Sequence, residues 1–163
     1  MTKKPILLLA TGAITVLIGS AFAAGQSGIT LPADYRQWFH VNSMTVDKTS
    51  PLSPQLGGLH NVYINSKGLP ALKSGGSYPD GSVFLDDIHE FSVSDGSYIE
   101  GNRKAIAIMV RDAKKYASTA GWGWQVWIGG DPKKPVVTDA NTMCVQCHSQ
   151  HKDNSYVFST YIP

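Results

Sequence analysis

Cys144, Cys147 and His148 form the pattern Cys-x-x-Cys-His, and these two cysteines are the only ones in the chain. Covalent attachment of a c-type haem needs this arrangement, because two thiols must reach the two vinyl groups of the porphyrin while an adjacent imidazole binds the iron. The spacing therefore predicts haem c, tethered by Cys144 and Cys147, with His148 as an iron ligand.

Two other kinds of site use the same residue types. With His151 the pattern becomes Cys-x-x-Cys-His-x-x-His, which offers four ligands that zinc accepts, although structural zinc sites usually take two ligand pairs from separate segments. A thioredoxin-like dithiol is the third reading, but such pairs open a helix early in a βαβ unit. Haem is favoured, with zinc and a redox dithiol as the alternatives.

A sixth protein ligand to the iron would define an electron-transfer cytochrome, and such a ligand normally follows the haem motif. Here only His151 follows, and it lies too near the motif to loop back. The upstream candidates are better explained as core or surface residues: His40, Met44, His60, His89 and Met109. We therefore expect one open coordination position, which binds small molecules such as nitric oxide, carbon monoxide, hydroxylamine or peroxide.

The first 23 residues have the pattern of a secretory signal peptide. Lys3 and Lys4 precede an apolar run, and Ala21-Phe22-Ala23 provides a small-x-small cleavage site. We expect export to the periplasm, no membrane span after cleavage, and one domain over residues 24–163. Loss of the two lysines cancels the formal charge of +2, so nothing in the charge balance predicts a nucleic-acid partner.

Alternating polar and apolar residues predict most of the elements that must position the motif. In residues 59–65, His60, Val62 and Ile64 share one face of a predicted strand. The predicted strands are 59–65, 82–93, 104–111, 122–130 and 154–163, the predicted helices are 33–40 and 112–119 with a possible helical turn in 66–76, and residues 47–58 are a predicted loop. This series indicates an α+β domain, mainly antiparallel sheet with a few short helices.

The ordered series of motifs resembles the cytochrome P-460 family and its relatives, the cytochromes c′-beta. The resemblance covers most of the chain after the signal and is carried by "LPADYRQW", "VYINS", "YPDGS", "RDAKKYA", "GWGWQVWI", "CVQCH" and "YVFSTYIP". It implies a homodimeric periplasmic protein, mainly antiparallel sheet, that holds a five-coordinate haem.

The resemblance also marks a departure from the family pattern. In members that oxidise hydroxylamine, a lysine bonded to the haem ring lies five residues beyond the glycine of the Asp-Gly-Ser/Thr turn. Counted from Gly81, that position is Asp86, which cannot form the bond. Lys67 and Lys73 lie on the other side of the turn, and only a shifted register would bring one of them in.

Three further residues are site candidates, Asp139 and Phe84 from the resemblance and Asp86 from the alternation of its strand, each beside a structural reading. Asp139, nine positions before His148, either accepts protons from bound hydroxylamine or caps the motif helix. Asp86 either faces the haem or is a solvated acid. Phe84 either crowds the open side of the iron or belongs to the core. Trp122, Trp124 and Trp127 are expected to be core or dimer contacts before haem walls, and His60 is either a distal acid or a surface histidine, with the surface favoured.

The sequence therefore favours a haem protein that binds small nitrogenous ligands, nitric oxide in particular. Hydroxylamine oxidation, with Asp139 or Asp86 as proton acceptor and an external cytochrome as electron acceptor, is the first alternative. Simple electron transfer is the second alternative, and it requires a sixth protein ligand.

Overall fold

The computed structural model describes residues 28–163, so the predicted signal peptide lies outside the described residues. Within these residues, five antiparallel strands form one sheet in the order β1-β2-β3-β4-β5. They are β1 (Phe39–Val46), β2 (Gly58–Ile64), β3 (Val83–Ser94), β4 (Ser97–Arg111) and β5 (Trp122–Ile128). The predicted α+β class, mainly antiparallel sheet, is confirmed.

The helices are short and lie before, between or after the strands. The α-helical turns are α1 (Ser53–Leu56), α2 (Leu69–Ser74) and α3 (Gln146–His148), a π-helical turn covers Asn141–Val145, and 3-10 turns cover Tyr35–Gln37, Ala117–Thr119 and Ser149–Asn154. The helical turn predicted within 66–76 is confirmed. The sequence missed α1, which lies in the predicted loop, and the helix predicted over 112–119 is reduced to one 3-10 turn.

The predicted helix over 33–40 is wrong, because only Tyr35–Gln37 is helical and β1 begins at Phe39. Residues 38–46 are rich in aromatic and β-branched side chains, and β1 pairs with β2 along nearly its whole length. An isolated helix of about eight residues is marginal in water. Pairing with β2 therefore stabilises this backbone more than a short helix would.

The predicted terminal strand over 154–163 is also wrong, since the residues after Asn154 join no strand. Ser155 and Tyr156 have left-handed backbone conformations, with φ of 54° and 65°, which interrupt an extended chain. The segment is held by the Trp122 indole, which donates to the Ser155 carbonyl (2.9 Å), and by buried Val157. It therefore packs on the sheet instead of extending it.

The β3–β4 hairpin is longer than predicted, because β4 begins at Ser97 and not at residue 104. Asp95 and Gly96 form the turn, with φ of 51° and 76°. Positive φ at both central residues is the geometry of a type I′ hairpin turn, for which Asp-Gly is a preferred sequence. The "DG" pair was therefore an available signal for the longer hairpin.

The strand registers define two faces of the sheet. One face, here called the site face, carries His60, Val62 and Ile64 of β2, which lie opposite Ile88, Asp86 and Phe84 of β3, and continues through Met109 and Trp124. The other face, here called the far face, carries Leu85, Ile106, Ile108 and Trp127 and is covered by Tyr35 and residues nearby in the chain. Cys144 and Val145 pack against the core on the site face.

Asp87 forms a buried polar cluster on the far face. Its carboxylate accepts hydrogen bonds from Tyr35 Oη (2.7 Å), Arg36 Nη2 (2.9 Å) and Arg103 Nε (2.6 Å), and lies 3.0 Å from His89 Nε2. Four side chains from three parts of the chain thus meet one carboxylate, which ties the 3-10 turn at Tyr35–Gln37 to β3 and β4.

Among residues 28–163, no helix has the length and apolar character needed to cross a membrane.

Candidate haem site

The segment that carries the cysteines begins with a turn organised by Asp139. Its carboxylate accepts hydrogen bonds from the Asn141 backbone N–H (3.0 Å) and the Thr142 hydroxyl (2.5 Å). The Thr142 bond, with the backbone bonds of Asn141 and Thr142, lowers the pKa of this exposed carboxyl. Asp139 thus stabilises the start of the helical segment through its side chain. Its contact with a reacting ligand stays a prediction.

His148 is held in one orientation by the segment that follows it. Its Nδ1 lies 2.7 Å from the Tyr156 carbonyl oxygen, and a carbonyl only accepts, so Nδ1 carries the proton. Burial is the largest cause acting on the pKa of His148 and lowers it, although the bond to Tyr156 acts in the opposite direction. The lowered pKa keeps the ring neutral at pH 7. The lone pair is then on Nε2, as iron ligation by an imidazole requires.

Two aromatic rings contact the His148 imidazole. Trp124 of β5 and Phe158 lie edge-on to it, with ring centroids 4.5 and 4.8 Å away. Phe158 also packs against His151, at 4.1 Å between ring centroids. Trp124 thereby connects the motif directly to the site face of the sheet.

The thiols of Cys144 and Cys147 are free and partly buried. Burial, followed by the charge of Asp139 and by Cys147, raises the pKa of Cys144 to about 11. A redox dithiol of the thioredoxin kind needs a lowered thiol pKa, so this environment argues against that alternative.

The zinc alternative needs Cys144, Cys147, His148 and His151 to surround one ion. Within residues 28–163, no group of three or more His, Cys, Asp or Glu side chains is arranged to hold a metal ion. His151, the fourth ligand of that reading, packs against Phe158 instead.

Phe84 is buried on the site face. Its ring packs against Tyr78 and Trp122, with centroids 5.2 and 6.3 Å away, so it belongs to the core. In the sheet it lies opposite Met109, which lies opposite Trp124. With neighbouring strands about 5 Å apart, Phe84 is about 10 Å along this row from the ring that touches His148. Its role beside a ligand stays a prediction.

Asp86 and His60 form a pair on the same face. Asp86 Oδ2 lies 2.7 Å from His60 Nδ1, and His60 Nε2 lies 2.7 Å from the Leu56 carbonyl oxygen. The expectation that His60 is a surface residue is wrong, since it is 1% exposed. Its alternation with Val62 and Ile64 was the signal for burial.

Both ring nitrogens of His60 face acceptors, an arrangement that the doubly protonated imidazolium satisfies. Burial alone would lower the pKa of His60, but the hydrogen bond and charge of Asp86, with the Leu56 carbonyl, outweigh it and leave the pKa raised. The other oxygen of Asp86, Oδ1, is buried and has no hydrogen-bond partner among the described residues.

The other candidate iron ligands lie in different settings. His40 is hydrogen-bonded to Ser43, His89 belongs to the far-face cluster, and Met44 is 48% exposed. Met109 alone among these is buried on the site face, between Phe84 and Trp124.

Lys67 and Lys73, the lysines that a shifted register would use, are both exposed. Lys67 lies against Gly81, and the Lys73 ammonium lies 5.8 and 5.4 Å from the ring centroids of Phe39 and Tyr161. Position 86, where the family pattern has the lysine, is occupied by Asp86, which is hydrogen-bonded to His60 on the site face.

The chemistry of these residues fits a haem. One short segment offers two free thiols and an imidazole whose Nε2 carries the lone pair, and the adjoining sheet face is apolar and aromatic with one orphaned carboxylate oxygen. The comparison with curated proteins finds no match. The family model described as Cytochrome P460 matches residues 32–159, from before β1 to beyond His148. Because this match covers most of the chain, the chain belongs to the cytochrome P460 family and is a haem protein of that type.

Proposed function

We propose that this chain is an exported c-type haem protein whose haem is bonded to Cys144 and Cys147, with His148 on the iron and the opposite coordination position open for a small nitrogenous ligand such as nitric oxide. The hydrogen bond between His148 Nδ1 and the Tyr156 carbonyl carries the proposal, because it leaves Nε2 free as a ligand on the segment that also offers both thiols. When bound, the haem supplies an iron that can take up such a ligand reversibly.

The residues around the motif support an ordered imidazole. The Tyr156 carbonyl accepts the Nδ1 proton, which fixes the tautomer and raises the basicity of Nε2. The edge-on rings of Trp124 and Phe158 restrict rotation of the imidazole. His40, His60 and His89 all have hydrogen-bond partners elsewhere, which favours an open sixth position over simple electron transfer.

Hydroxylamine oxidation is the second candidate, and the unpartnered oxygen of Asp86 is the observation that favours it, since loss of protons from hydroxylamine needs an acceptor. Asp139, the other candidate acceptor, is exposed and engaged in its own turn. An external electron-carrier cytochrome would take the electrons. Steady-state oxidation of hydroxylamine with an artificial electron acceptor tests this activity, and no turnover is expected if ligand binding is the function.

Expression of the full chain in a host that installs c-type haem tests the proposal. Mass spectrometry of the exported protein should show the mass of one haem after denaturation, and Cys144→Ser with Cys147→Ser should abolish it. The absorption spectrum should be high-spin with ordinary band positions. A low-spin six-coordinate spectrum would support electron transfer, a far-red ferrous Soret band would support a lysine-to-ring bond, and exported protein without haem would overturn the proposal.

The proposal includes the periplasm as the location and a homodimer as the assembly. The outer half of the β3–β4 hairpin supports a dimer, because Val93, Tyr98 and Ile99 are 60%, 54% and 50% exposed on it. Light scattering during size-exclusion chromatography should give twice the chain mass. Replacement of Tyr98 and Ile99 by serine should give the monomer, and an unaltered monomeric mass in the parent would contradict this part.

A further inference from the structure

The segment that follows the haem motif directs three consecutive backbone carbonyl groups at three side-chain N–H groups. The first carbonyl, on Ser155, accepts a hydrogen bond from the Trp122 indole (2.9 Å), and the third, on Val157, accepts one from the Asn154 amide (2.6 Å). The middle carbonyl, on Tyr156, accepts from the imidazole of the motif at 2.7 Å. The two outer bonds therefore hold the peptide groups on either side of the carbonyl that contacts the imidazole.

The backbone of this segment adopts a conformation that residues with a side chain usually avoid. Ser155 and Tyr156 have φ of 54° and 65°, both in the left-handed region. Such residues persist only where the surrounding contacts outweigh their cost. Backbone hydrogen bonds from Ser155 N–H to the Lys152 carbonyl (3.1 Å) and from Tyr156 N–H to the His151 carbonyl (2.8 Å) close the turn on one side. The side-chain bonds to the flanking carbonyls secure it on the other.

Trp122 anchors this turn to the sheet. Its side chain is fully buried, and its ring packs against Tyr78 and Phe84, with centroids 5.7 and 6.3 Å away. It lies on β5 two positions before Trp124, whose ring contacts the His148 imidazole at 4.5 Å between centroids. One strand thus contacts both the imidazole and the peptide segment that accepts its proton.

We infer that Trp122 and Asn154 are positioning residues for the iron ligand, which hold the Tyr156 carbonyl against His148 Nδ1 and thereby set how strongly Nε2 donates to the iron. The inference rests on the proposed function, in which His148 binds the iron, and it assigns control of that ligand to two residues outside the motif. A stronger hydrogen bond at Nδ1 gives the imidazole more anionic character. This favours the ferric over the ferrous state and strengthens the bond from Nε2 to the metal.

Trp122→Phe keeps an aromatic ring in the core and removes the indole N–H. In resonance Raman spectra of the haem-loaded protein, the iron–histidine stretching frequency of the ferrous state should fall, and the reduction potential should rise. At a fixed potential the ferrous-to-ferric ratio should increase roughly threefold to tenfold, as expected when one hydrogen bond is weakened, or by up to about 59 mV for a one-electron couple. Trp127→Phe is the matched control, because Trp127 is a buried tryptophan of the same strand on the far face, and it should match the parent in both readouts.

Asn154→Ala is the second variant, in case the phenylalanine protein does not accumulate. It removes the donor to the Val157 carbonyl without changing the charge. The frequency and the potential should therefore shift in the same directions as in Trp122→Phe. Asn102→Ala, at an exposed position of β4, is its control and should match the parent.

A lower melting temperature combined with an unchanged iron–histidine frequency and an unchanged potential, in both Trp122→Phe and Asn154→Ala, would overturn the inference. The two residues would then hold the C-terminal segment without acting on the iron ligand. The proposed function fails by a different result, which is exported protein without covalent haem.

Discussion

Replacement of Asp87 by asparagine should be among the most destabilising isosteric changes in the protein. The Asp87 side chain is 1% exposed and is the shared acceptor for Tyr35, Arg36 and Arg103. Asparagine keeps the size but removes the charge, and its amide N–H₂ would face donors. Breaking a buried ion pair by removing one partner costs about 3–5 kcal/mol.

The lower end of that range applies here, because the side chains of Arg36 and Arg103 are 57% and 30% exposed and water can partly solvate them. We expect a loss of about 3 kcal/mol in the free energy of unfolding, or about 10 °C in melting temperature for a domain of this size. Chemical denaturation and calorimetry at pH 7 measure both values, with Asp95→Asn, at the exposed hairpin turn, as the control.

The pH dependence gives this prediction a second test. Burial alone would raise the pKa of Asp87, but hydrogen bonds from Arg103 and Tyr35 and the nearby positive charges outweigh it and lower the pKa below 3.8. A carboxylate whose pKa is lower in the folded state than in the unfolded state stabilises the protein at any pH above its unfolded-state pKa. This stabilisation disappears as the pH falls through the folded-state pKa. The gap between parent and variant should therefore be widest near neutral pH and shrink below about pH 3.8. A gap under about 1 kcal/mol at pH 7, or one that persists unchanged at pH 3, would refute the reasoning.

Three further predictions concern the scaffold around the site. Gly123→Ala should cost about 1–3 kcal/mol, because the new Cβ would overlap the ring of Tyr116, whereas Gly76→Ala, where the nearest atom is 3.9 Å away, should be nearly neutral in the same thermal melts. Asn65→Ala should cost about 2 kcal/mol, because the backbone N–H groups of Gly68 and Val83 lose a side-chain acceptor and the Gly81 carbonyl loses a donor; Asn65→Asp keeps the acceptor but not the donor, so urea unfolding of both variants separates the two contributions. Trp122→Phe should lower stability by about 1–2 kcal/mol and speed proteolysis after residue 154, since the indole N–H holds that segment; an unchanged cleavage rate would contradict it.

The sequence was informative where the signal is local. The spacing of Cys144, Cys147 and His148 indicates a haem motif without reference to the rest of the chain, because the thiols and the imidazole must lie close together in any fold. Alternation located β2, β3 and β5 to within two residues at each end. The order of the motifs pointed to the family that the match over residues 32–159 supports.

Prediction from the sequence failed where contacts with residues distant in the chain determine the local structure. Residues 33–40 have helical features, yet β1 forms from Phe39 because β2 offers a complete ladder. The last ten residues have the composition of a strand, yet left-handed Ser155 and Tyr156 turn them onto the sheet face. Neither β2 nor that face is visible in the local sequence.

By itself, then, the sequence predicted the proposed chemistry of haem attachment and determined the alternation that builds an antiparallel sheet, since both depend on residues a few positions apart. Only the tertiary structure decided that His60 and Asp86, 26 positions apart, share one hydrogen bond on the site face, and that the Tyr156 carbonyl selects the Nε2 lone pair of His148. The physical reason is that hydrogen-bond partners and burial depend on strand register and on the path of the C-terminal segment, which are properties of the whole fold.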